Sequence, residues 1–365
     1  MKISIERDVL LKPLQQVIGA VEKRNTMPAL ANILIKAENN NIQFTGTDLE
    51  IELHASIDHP VDEAGETTLP ARKLMDICKA LPEGAQIVIV ADADKATVKS
   101  GRSRFSLITL PASEFPILEE ITSSKMFSLP QTTFKSLIEK TAFAMAHQDV
   151  RYYLNGLMLE VAPNQLRSVA TDGHRLALGE AQAEIDTEST QQVIVPRKGI
   201  HELSRLLEDD GEAQVQISAN HIRVTTDGLR FTSKLIDGRF PEYDRVLPKG
   251  GDKDILIDRD ILKHALTRAS ILSNEKYRGI RLLIQSGSLK IQAHNPEQEE
   301  AEDELEIPYQ GDGLEIGFNV NYLLDVLNTI KDNNVIITLK DSNSSALIKG
   351  ENTDDALYVV MPMRL

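Results

Sequence analysis

The stretch ISIERDVLLKPLQQV, residues 3–17, contains the pattern that decides the fold, because the chain carries it three times. Its counterparts are FSLPQTTFKSLIEKT at 127–141 and ILIDRDILKHALTRA at 255–269. Each copy begins with apolar residues at alternating positions and continues with apolar residues four apart, such as Leu10 and Leu14. Alternation is typical of a strand, and a spacing of four keeps side chains on one helical face. We therefore expect a strand followed by an amphipathic helix in each copy.

Further patterns repeat at the same offset of about 125 residues. One set is IQFTGTD at 42–48, LRSVATD at 166–172 and LKIQAHN at 289–295; another is LPARKLMDICKAL at 69–81, VPRKGIHELSRLL at 195–207 and FNVNYLLDVLNTI at 318–330. A weaker pair is Phe115-Pro116 and Phe240-Pro241. A fixed period indicates tandem copies of one fold. We predict three α+β domains, at 1–124, 125–252 and 253–365, each with two helices packed on antiparallel sheets.

Composition restricts the class of protein. The chain of 365 residues has one cysteine and a formal net charge of −15. A single thiol cannot form an internal disulfide and fits a reducing compartment. The N-terminal residues lack the apolar core of a signal peptide, and no apolar run is long enough to span a bilayer. We expect a soluble, cytoplasmic protein, in which Pro13 bends the first helix or marks a late start.

Motifs for catalysis or cofactor binding are missing from the sequence. It contains no phosphate-binding loop, no dinucleotide-binding glycine pattern and no set of zinc ligands with suitable spacing. The segment that begins DADKAT resembles a calcium loop, but its sixth and twelfth positions are Thr97 and Ser103. Cys78 lies among apolar residues and is expected to be a buried structural thiol. We predict no catalytic residue, no metal and no cofactor.

The segment TDGHRLA, residues 171–177, is compatible with a catalytic or a structural role. Asp172 and His174 could form an acid–base pair, which would make the protein a repeat-built enzyme. The same place in the other copies holds Asp48 and Asn295, however, and Asp or Asn commonly stabilises turns. A structural role for Asp172 is favoured, whereas His174 and Arg175 are not repeated and are candidates for a specific site. For the protein as a whole, a monomeric scaffold with an unused basic face is a further alternative to an enzyme.

Charge is unevenly distributed along the chain. The six predicted helical segments carry a net positive charge although the whole chain is strongly acidic. Helices on one side of an assembly would therefore favour a polyanion. A basic segment at 94–105 and an acidic run at 296–308 adjoin probable edge strands at 105–110 and 305–307 of the first and last copies. Edges of opposite charge suggest head-to-tail pairing of two chains into a ring.

Several ordered motifs then resemble one family. They are SGRSRFSLITLP (100–111), MAHQDVRYYLNG (145–156), TDGHRLA (171–177), VPRKG (195–199), SKLIDGRFPEY (233–243), ILSNEKYRG (271–279), HNPEQEEAE (294–302) and YVVMPMRL (358–365). Over its whole length the chain resembles the bacterial sliding clamps, the β subunits of replicative DNA polymerase III. The resemblance implies three DNA-clamp domains per chain and a head-to-tail homodimer whose six-domain ring encircles duplex DNA without reading its sequence. It also implies a non-enzymatic processivity factor, with no cofactor and no membrane contact.

The resemblance further implies partners and site residues. Peptides of the polymerase III catalytic subunit, the clamp loader, other polymerases and repair proteins would bind a hydrophobic groove between domains 2 and 3. The groove positions are Leu154, Thr171, Gly173, His174, Arg175, Leu176, Pro241, Arg245, Val246, Tyr277, Asn319, Tyr322, Ser345, Val359, Val360, Met361, Pro362, Met363 and Arg364. Tyr277 stands where the family commonly has Phe, and Asn343 stands where an apolar wall residue is expected.

Two further surfaces are expected in such a ring. A sliding duplex requires weak, interchangeable phosphate contacts, for which cations on helix faces are suited. The candidates on helices are Arg24, Arg72, Lys198 and Arg205. The resemblance also places the loop at 147–153 against DNA, which implies contacts from Gln148, Arg151, Tyr152 and Tyr153. The resemblance places Lys73, Arg102, Arg104, Phe105 and Leu107 of one chain against Ile271, Leu272, Glu297, Glu299 and Glu302 of the other. The apolar members should contribute most to this interface, because exposed ion pairs contribute only about 0–1 kcal/mol.

Overall fold

The computed structural model describes residues 1–22, 27–92, 94–118, 121 and 125–364. Within them the chain forms six α-helices, two in each third, as the repeats predicted. The helices are α1 Arg7–Val17, α2 Ala71–Ala80, α3 Gln131–Thr141, α4 Arg197–Leu206, α5 Arg259–Ser270 and α6 Val320–Thr329. Pro13 lies inside α1, which begins at Arg7 and continues to Val17, so this proline does not mark a late start.

Each third also contributes eight strands. The first has β1 Lys2–Glu6, β2 Asn32–Glu38, β3 Asn41–Thr47, β4 Ile51–Asp58, β5 Gly65–Pro70, β6 Gln86–Asp92, β7 Lys95–Ser100 and β8 Ser103–Ile108. The second has β9 Lys125–Pro130, β10 Gly156–Ala162, β11 Gln165–Thr171, β12 Arg175–Gln182, β13 Gln191–Pro196, β14 Glu212–Ile217, β15 His221–Thr226 and β16 Leu229–Lys234. The third has β17 Lys253–Asp258, β18 Gly279–Gln285, β19 Ser288–His294, β20 Glu300–Glu306, β21 Leu314–Asn319, β22 Asn334–Leu339, β23 Ala346–Gly350 and β24 Ala356–Val360.

Two compact units divide the middle third between them. Unit 1 comprises residues 1–134 and 198–235, and unit 2 comprises residues 135–197 and 236–365. Unit 1 contains a four-stranded sheet, β1-β6-β7-β8, and an eight-stranded sheet, β5-β2-β3-β4-β16-β15-β14-β9. Unit 2 contains a four-stranded sheet, β20-β19-β18-β21, and an eight-stranded sheet, β13-β10-β11-β12-β24-β23-β22-β17. Each eight-stranded sheet therefore joins four strands of the middle third to four strands of a neighbouring third.

The strand order confirms one prediction about the sheet edges. β8, which contains Arg104 and follows directly after Arg102, is an outer strand of its four-stranded sheet. The acidic strand β20 is likewise an outer strand of the corresponding sheet in unit 2. Both strands begin a few residues earlier than the sequence indicated. Their free edges leave backbone N–H and C=O groups without ladder partners in the described part of the chain.

The repeated apolar positions form the core. Ile5, Leu129 and Ile257 of the strands are all buried, with at most 6% of their surface exposed. The matched helix residues are buried as well: Leu10, Phe134 and Leu262, then Leu14, Ile138 and Leu266, and in the second helices Leu74, Ile200 and Leu323. α1 packs against α2, and α5 packs against α6. The repeat seen in the sequence is therefore a repeat of core contacts, which explains why these positions stay apolar.

An arginine ties the two helices together in the first and last thirds. The Nε of Arg7, the first residue of α1, donates to the carbonyl of Cys78 near the end of α2, at 2.9 Å. The Nη1 of Arg259, the first residue of α5, donates to the carbonyl of Ile330 just after α6, at 2.7 Å. The final carbonyls of a helix lack partners within it, and a cation at this negative end is stabilising. No helix of the described residues is long and apolar enough to cross a membrane.

We predict that Leu74→Ala destabilises unit 1. Leu74 has no exposed surface, so truncation removes apolar burial and leaves a cavity worth about 2–5 kcal/mol. Denaturant unfolding followed by circular dichroism should show the earliest transition at a lower midpoint. Asp76→Ala, on the exposed face of the same helix, is the matched control and should leave the midpoint unchanged. Equal midpoints for the two variants would contradict the assigned core.

Candidate functional site

The turn between β11 and β12 is held by Asp172. Its Oδ1 accepts hydrogen bonds from the backbone N–H groups of His174 at 2.9 Å and Arg175 at 3.0 Å. Gly173 adopts φ +88°, a left-handed conformation that glycine tolerates without strain. The counterpart in unit 1 repeats the bonds, since Asp48 Oδ1 accepts from the second and third residues after it at 2.8 and 2.7 Å. The predicted turn role of this aspartate is confirmed.

The guanidinium of Arg175 links three elements of unit 2. Its Nε donates to Asp172 Oδ2 at 3.1 Å and its Nη2 donates to the Phe143 carbonyl at 2.9 Å, while Nη1 pairs with Asp325 of α6. The guanidinium carbon also lies 4.6 Å from the Tyr322 ring centre and 5.2 Å from that of Phe143. Only 12% of the side chain is exposed. Arg175 therefore fixes the β11–β12 turn against α6, and its donors are largely used inside the protein.

His174 and Tyr322 form an accessible aromatic pair beside Arg175. Their rings stack at a centroid distance of 6.3 Å and an interplanar angle of 18°. His174 is exposed, whereas burial raises the pKa of Tyr322 and the charge of Asp172 adds to this shift. His174, Arg175 and Tyr322 line a cleft of about 350 Å³ together with Phe143. The structure thus brings together three residues that the sequence predicted for one site: His174, Arg175 and Tyr322.

An apolar cluster underlies the rest of the predicted groove. Leu154, Leu176 and Val359 are buried in it, and Val246 packs on it while remaining partly exposed. The other members are Ala146, Met158, Val169, Leu178, Ile194, Phe240 and Tyr243, with Tyr153, Ile236, Leu247 and Leu347 partly buried against them. Leu247 and Leu347 were missed in the sequence. The only sequence signal for them was proximity, since Leu247 follows the predicted Val246 and Leu347 lies two residues after the predicted Ser345.

Two further clefts continue this surface. One, of about 340 Å³, is lined by Pro241 and Arg245 among others. The other, of about 570 Å³, is lined by Arg245, Val246, Leu247 and Ser345, and also by Asn343. Arg245 borders both clefts and is therefore shared between them. Asn343 contributes a polar side chain to the second cleft, at the place where an apolar wall was expected.

The C-terminal residues extend the sheet next to the β11–β12 turn. β24 pairs with β12, so that Val359 lies opposite Leu176 and Val360 lies opposite Arg175. Beyond the strand, the N–H of Met361 donates to the His174 carbonyl and that of Met363 to the Gly317 carbonyl, each at 2.9 Å. Met361 and Arg364 are exposed, and Pro362 and Met363 are half-buried. A flexible Met beside exposed polar groups suits a surface that accepts varied side chains.

Tyr277 and Asn319 form a contact at the start of α6. Asn319 caps the helix by accepting the N–H of Asn321 at 2.9 Å, and its Nδ2 donates to the Tyr277 carbonyl at 3.3 Å. The Tyr277 ring is 57% exposed and lies 5.1 Å from the Lys276 ammonium. Because Tyr322 lies in the first turn of α6, this contact belongs to the same end of the helix as the His174 pair.

The loop at 147–153 is organised by an ion pair. The Nε and Nη2 of Arg151 donate to Asp149 at 3.0 and 2.9 Å, and Nη2 also reaches the Asp172 carbonyl at 3.3 Å. The hydrogen bond from Arg151 lowers the pKa of Asp149 to about 2. Gln148 adopts φ +56°, Tyr152 is 58% exposed and Tyr153 packs on the apolar cluster. Among the predicted DNA contacts of this loop, Gln148, Arg151 and Tyr152 are exposed, and Arg151 is already paired.

The predicted cations of unit 1 also have internal partners, which the sequence analysis missed. Lys198 pairs with Glu22 at 3.2 Å and with Asp48. Arg205 binds Glu202 at 2.7 Å and donates to the carbonyls of Gln15 and Gln16 at the end of α1, at 3.1 and 2.9 Å. The Nη2 of Arg72 donates to the Val21 carbonyl at 3.3 Å. Arg24 lies outside the described residues.

Most of the residues expected to join two chains are accessible in their own unit. In unit 1, Lys73, Arg102 and Arg104 are exposed, Phe105 is half-buried and Leu107 is buried. In unit 2, Ile271 is 75% exposed and Leu272 is half-buried, while Glu297, Glu299 and Glu302 are exposed. Glu302 pairs with Lys290 of β19 at 3.0 Å. Each edge thus combines one sign of charge with accessible apolar surface.

The thiol of Cys78 and the carboxylate of Asp172 are not placed for catalysis. Cys78 is buried, and burial raises the pKa of its thiol to about 11, so the nucleophilic thiolate does not form near neutral pH. Within the residues that the structure describes, no group of three or more His, Cys, Asp or Glu side chains could hold a metal ion. The Oδ1 of Asp172 holds the β11–β12 turn and its Oδ2 binds Arg175, which is a structural use of this carboxylate.

Three family models match the chain in sequence order. The N-terminal domain of the DNA polymerase III beta subunit matches residues 1–119, its central domain matches 128–242 and its C-terminal domain matches 244–364. Among relatives, the beta sliding clamp of Pseudomonas putida is 57% identical and that of Escherichia coli K12 is 53% identical. Each match covers 100% of both chains.

Solved structures agree with this match. The crystal structure of the DNA polymerase III subunit beta from Pseudomonas aeruginosa is 56% identical, with a TM-score of 0.97 and full coverage of both chains. The sliding clamp of the same organism bound to griselimycin gives a TM-score of 0.98, also with full coverage and 56% identity. The three tandem domains, the six helices and the full-length similarity lead to one conclusion: this chain belongs to the DNA polymerase III beta subunit family, the bacterial beta sliding clamps.

Proposed function

We propose that two copies of this chain close head to tail into a six-domain ring around duplex DNA, and that the ring acts as a processivity factor for the replicative polymerase. The observation that carries this proposal is the match of all three domains, in order and at full length, to the beta subunit family. Members of this family tether polymerases and are not enzymes. The domains would be residues 1–124, 125–252 and 253–365, and the ring would act in the cytoplasm.

The two edge strands support closure of the ring. Arg104 lies in β8 and Arg102 directly before it, whereas Glu302 lies in β20 and Glu297 and Glu299 directly before that strand. Antiparallel or parallel pairing of two such edges would supply backbone hydrogen bonds to both strands. Opposite charge selects the head-to-tail pairing and disfavours the pairing of two identical edges. Ile271, exposed although apolar, would be buried by this contact together with Phe105 and Leu272 and would supply most of its stability.

The charged helix faces support a loose contact with DNA. A protein that slides must hold phosphates through weak, exchangeable interactions, and a strong base-edge contact would stop it. Lys198, Arg205 and Arg151 share their charge with internal carboxylates. Such partly neutralised cations attract the DNA phosphates at long range but form no deep, fixed contact with them. With Arg24, Arg72, Gln148, Tyr152 and Tyr153 they remain our candidates for the DNA-facing surface.

The apolar surface of unit 2 supports peptide binding. Partly exposed Val246, Leu247 and Leu347 lie on a buried cluster, and the clefts beside them are bordered by Arg245, His174 and Tyr322. A short peptide could bury apolar side chains here and keep polar groups at the rim. The griselimycin-bound clamps of P. aeruginosa and Bartonella birtlesii, related to this chain at 56% and 39% identity, add support. Partner peptides from polymerases, the clamp loader and repair proteins would compete for this groove.

We predict that Ile271→Ala combined with Leu272→Ala yields monomers. The double variant removes the apolar part of the proposed interface and leaves the ion pairs, which contribute little when exposed. Analytical ultracentrifugation should show dimers for the unaltered chain and monomers of 40.5 kDa for the variant at low concentration. Ile261→Ala, also exposed but outside the proposed interface, is the control and should stay dimeric. A dimeric double variant would refute the interface.

We predict a topological link to DNA. After loading by a clamp loader with ATP, the protein should remain on circular duplex and be lost from the same DNA once it is linearised. Retention on the circle should survive salt that strips ordinary phosphate-binding proteins. Gel filtration of labelled protein with each DNA measures this directly. Equal retention on circular and linear DNA would contradict encirclement and indicate ordinary electrostatic binding.

We predict that His174→Ala weakens partner-peptide binding about fivefold, because the exposed ring stacked on Tyr322 is lost from the groove. Fluorescence anisotropy with a labelled clamp-binding peptide provides the measurement. His264→Ala removes another exposed histidine outside the groove and should bind with unchanged affinity. The rival enzyme hypothesis expects loss of turnover with unchanged peptide affinity, so unchanged affinity in His174→Ala would count against the groove assignment.

A further inference from the structure

A cleft of about 360 Å³ lies in unit 2 between α3, the end of α6 and β24. Its walls include Ser136 and Lys140 of α3, Asn328 and Ile330 at the end of α6, and Tyr358 of β24. Its volume lies in the range of small-molecule sites. None of its lining residues belongs to the peptide-binding, DNA-binding or dimer sets, so the cleft has no role in the proposed function.

Tyr358 supplies the polar group at the bottom of this cleft. The residue is 99% buried, with 1% of its surface exposed, and it lines the cleft. Within the described residues its hydroxyl makes no hydrogen bond, and its oxygen is not fully enclosed, so the hydroxyl is open to the cleft. Its ring packs on Phe143 at 5.9 Å between centroids, which holds the hydroxyl in place. Burial raises the pKa of Tyr358, so the hydroxyl keeps its proton and can donate.

The rim of the cleft favours a ligand rich in hydrogen-bond acceptors. Lys331 is exposed and has no carboxylate within ion-pair distance among the described residues, whereas Lys140 is paired with Asp355 at 2.7 Å. The carboxylate of Asp332 is satisfied by the Thr353 hydroxyl at 2.6 Å and by a backbone N–H at 2.8 Å. Among the lining residues this leaves the exposed carboxylate of Glu139, and the neighbouring Asp355 carboxylate is occupied by Lys140. With Lys140 already paired, the Lys331 ammonium, the Asn328 amide and the Tyr358 hydroxyl are the donors available to a ligand in the cleft.

The deep part of the cleft is apolar apart from that hydroxyl. Ile330 and Ala356 are 6% and 5% exposed and line the cleft beside the Tyr358 ring. A flat aromatic body would lie against these side chains and against the edge of the tyrosine ring that lines the cleft. An oxygen at its inner end could accept from the hydroxyl, and a negative charge at its outer end would lie near Lys331.

We propose that this cleft is a second ligand site that binds a small aromatic acid. One oxygen of the ligand accepts a hydrogen bond from the Tyr358 hydroxyl, and the carboxylate of the ligand faces Lys331. The site is separate from the peptide groove. It can therefore be tested whether or not the groove binds partner peptides.

The test uses the full-length dimer with methyl-labelled Ile, Ala, Leu and Val, titrated with 6-hydroxy-2-naphthoate. Its two oxygen groups lie at opposite ends of a rigid ring, as the cleft requires. The Ile330 and Ala356 methyl signals report on the cleft, and those of Leu176 and Val359 report on the groove. We expect saturable shifts at Ile330 and Ala356 that persist when griselimycin fills the groove. Shifts confined to Leu176 and Val359, or no saturable shift at millimolar ligand, would overturn the proposal.

Two variants and two analogues assign the contacts. Tyr358→Phe keeps the ring and removes the hydroxyl, and Lys331→Gln removes the charge; each should weaken binding about tenfold. Lys263→Gln, in α5 and outside the cleft, should bind like the unaltered chain. The analogue 2-naphthoate, which lacks the hydroxyl, should bind the unaltered chain more weakly than 6-hydroxy-2-naphthoate does, whereas Tyr358→Phe should bind the two ligands equally. Likewise 2-naphthol, which lacks the carboxylate, should bind the unaltered chain more weakly than 6-hydroxy-2-naphthoate does, whereas Lys331→Gln should bind those two ligands equally. If either Tyr358→Phe or Lys331→Gln binds 6-hydroxy-2-naphthoate with full affinity, while its ligand-free methyl spectrum is unchanged, the proposed contacts are refuted.

Discussion

Backbone pairing between neighbouring thirds is the constraint on which the rest of the structure depends. β12 of the middle third pairs with β24 of the last, and β4 of the first third pairs with β16 of the middle. Each pairing converts two four-stranded halves into one continuous eight-stranded sheet. A strand that would otherwise be an exposed edge is thereby covered, and its N–H and C=O groups are satisfied. Among the outer strands of the four-stranded sheets, β8 and β20 are the ones that we assign to the contact with the second chain.

The two sheet junctions have equivalent geometry but different chemistry. Counting from the turn aspartates, Glu52 and His54 occupy the positions of Leu176 and Leu178. Leu176 and Leu178 belong to the apolar cluster beneath the groove. Glu52 instead accepts the N–H of Leu118 at 2.9 Å, and its pKa is raised by burial.

His54 continues the polar character of the first junction. It contacts the Thr45 hydroxyl at 3.0 Å, and burial with the neighbouring Arg230 lowers its pKa to about 4. A buried polar group needs hydrogen-bond partners, so this junction is closed by its own polar contacts and offers little apolar surface to a peptide. The two junctions are therefore alike in backbone pairing, and the side chains at two positions make the first polar and the second apolar.

The sequence by itself determined the repeat, the six helices, the turn role of Asp172 and the edge position of the charged strands. These depend on local patterns, since a period of two or of about four is set by backbone geometry and is visible in any window of the chain. The groove list came from family resemblance, and the structure brings His174, Arg175 and Tyr322 together. Only the tertiary structure decided that Leu247 and Leu347 lie on the apolar cluster and that Arg175, Lys198 and Arg205 are held by internal partners. Such contacts join residues far apart in the chain, and side-chain pairing at that distance depends on how the strands and helices pack, which no local pattern encodes.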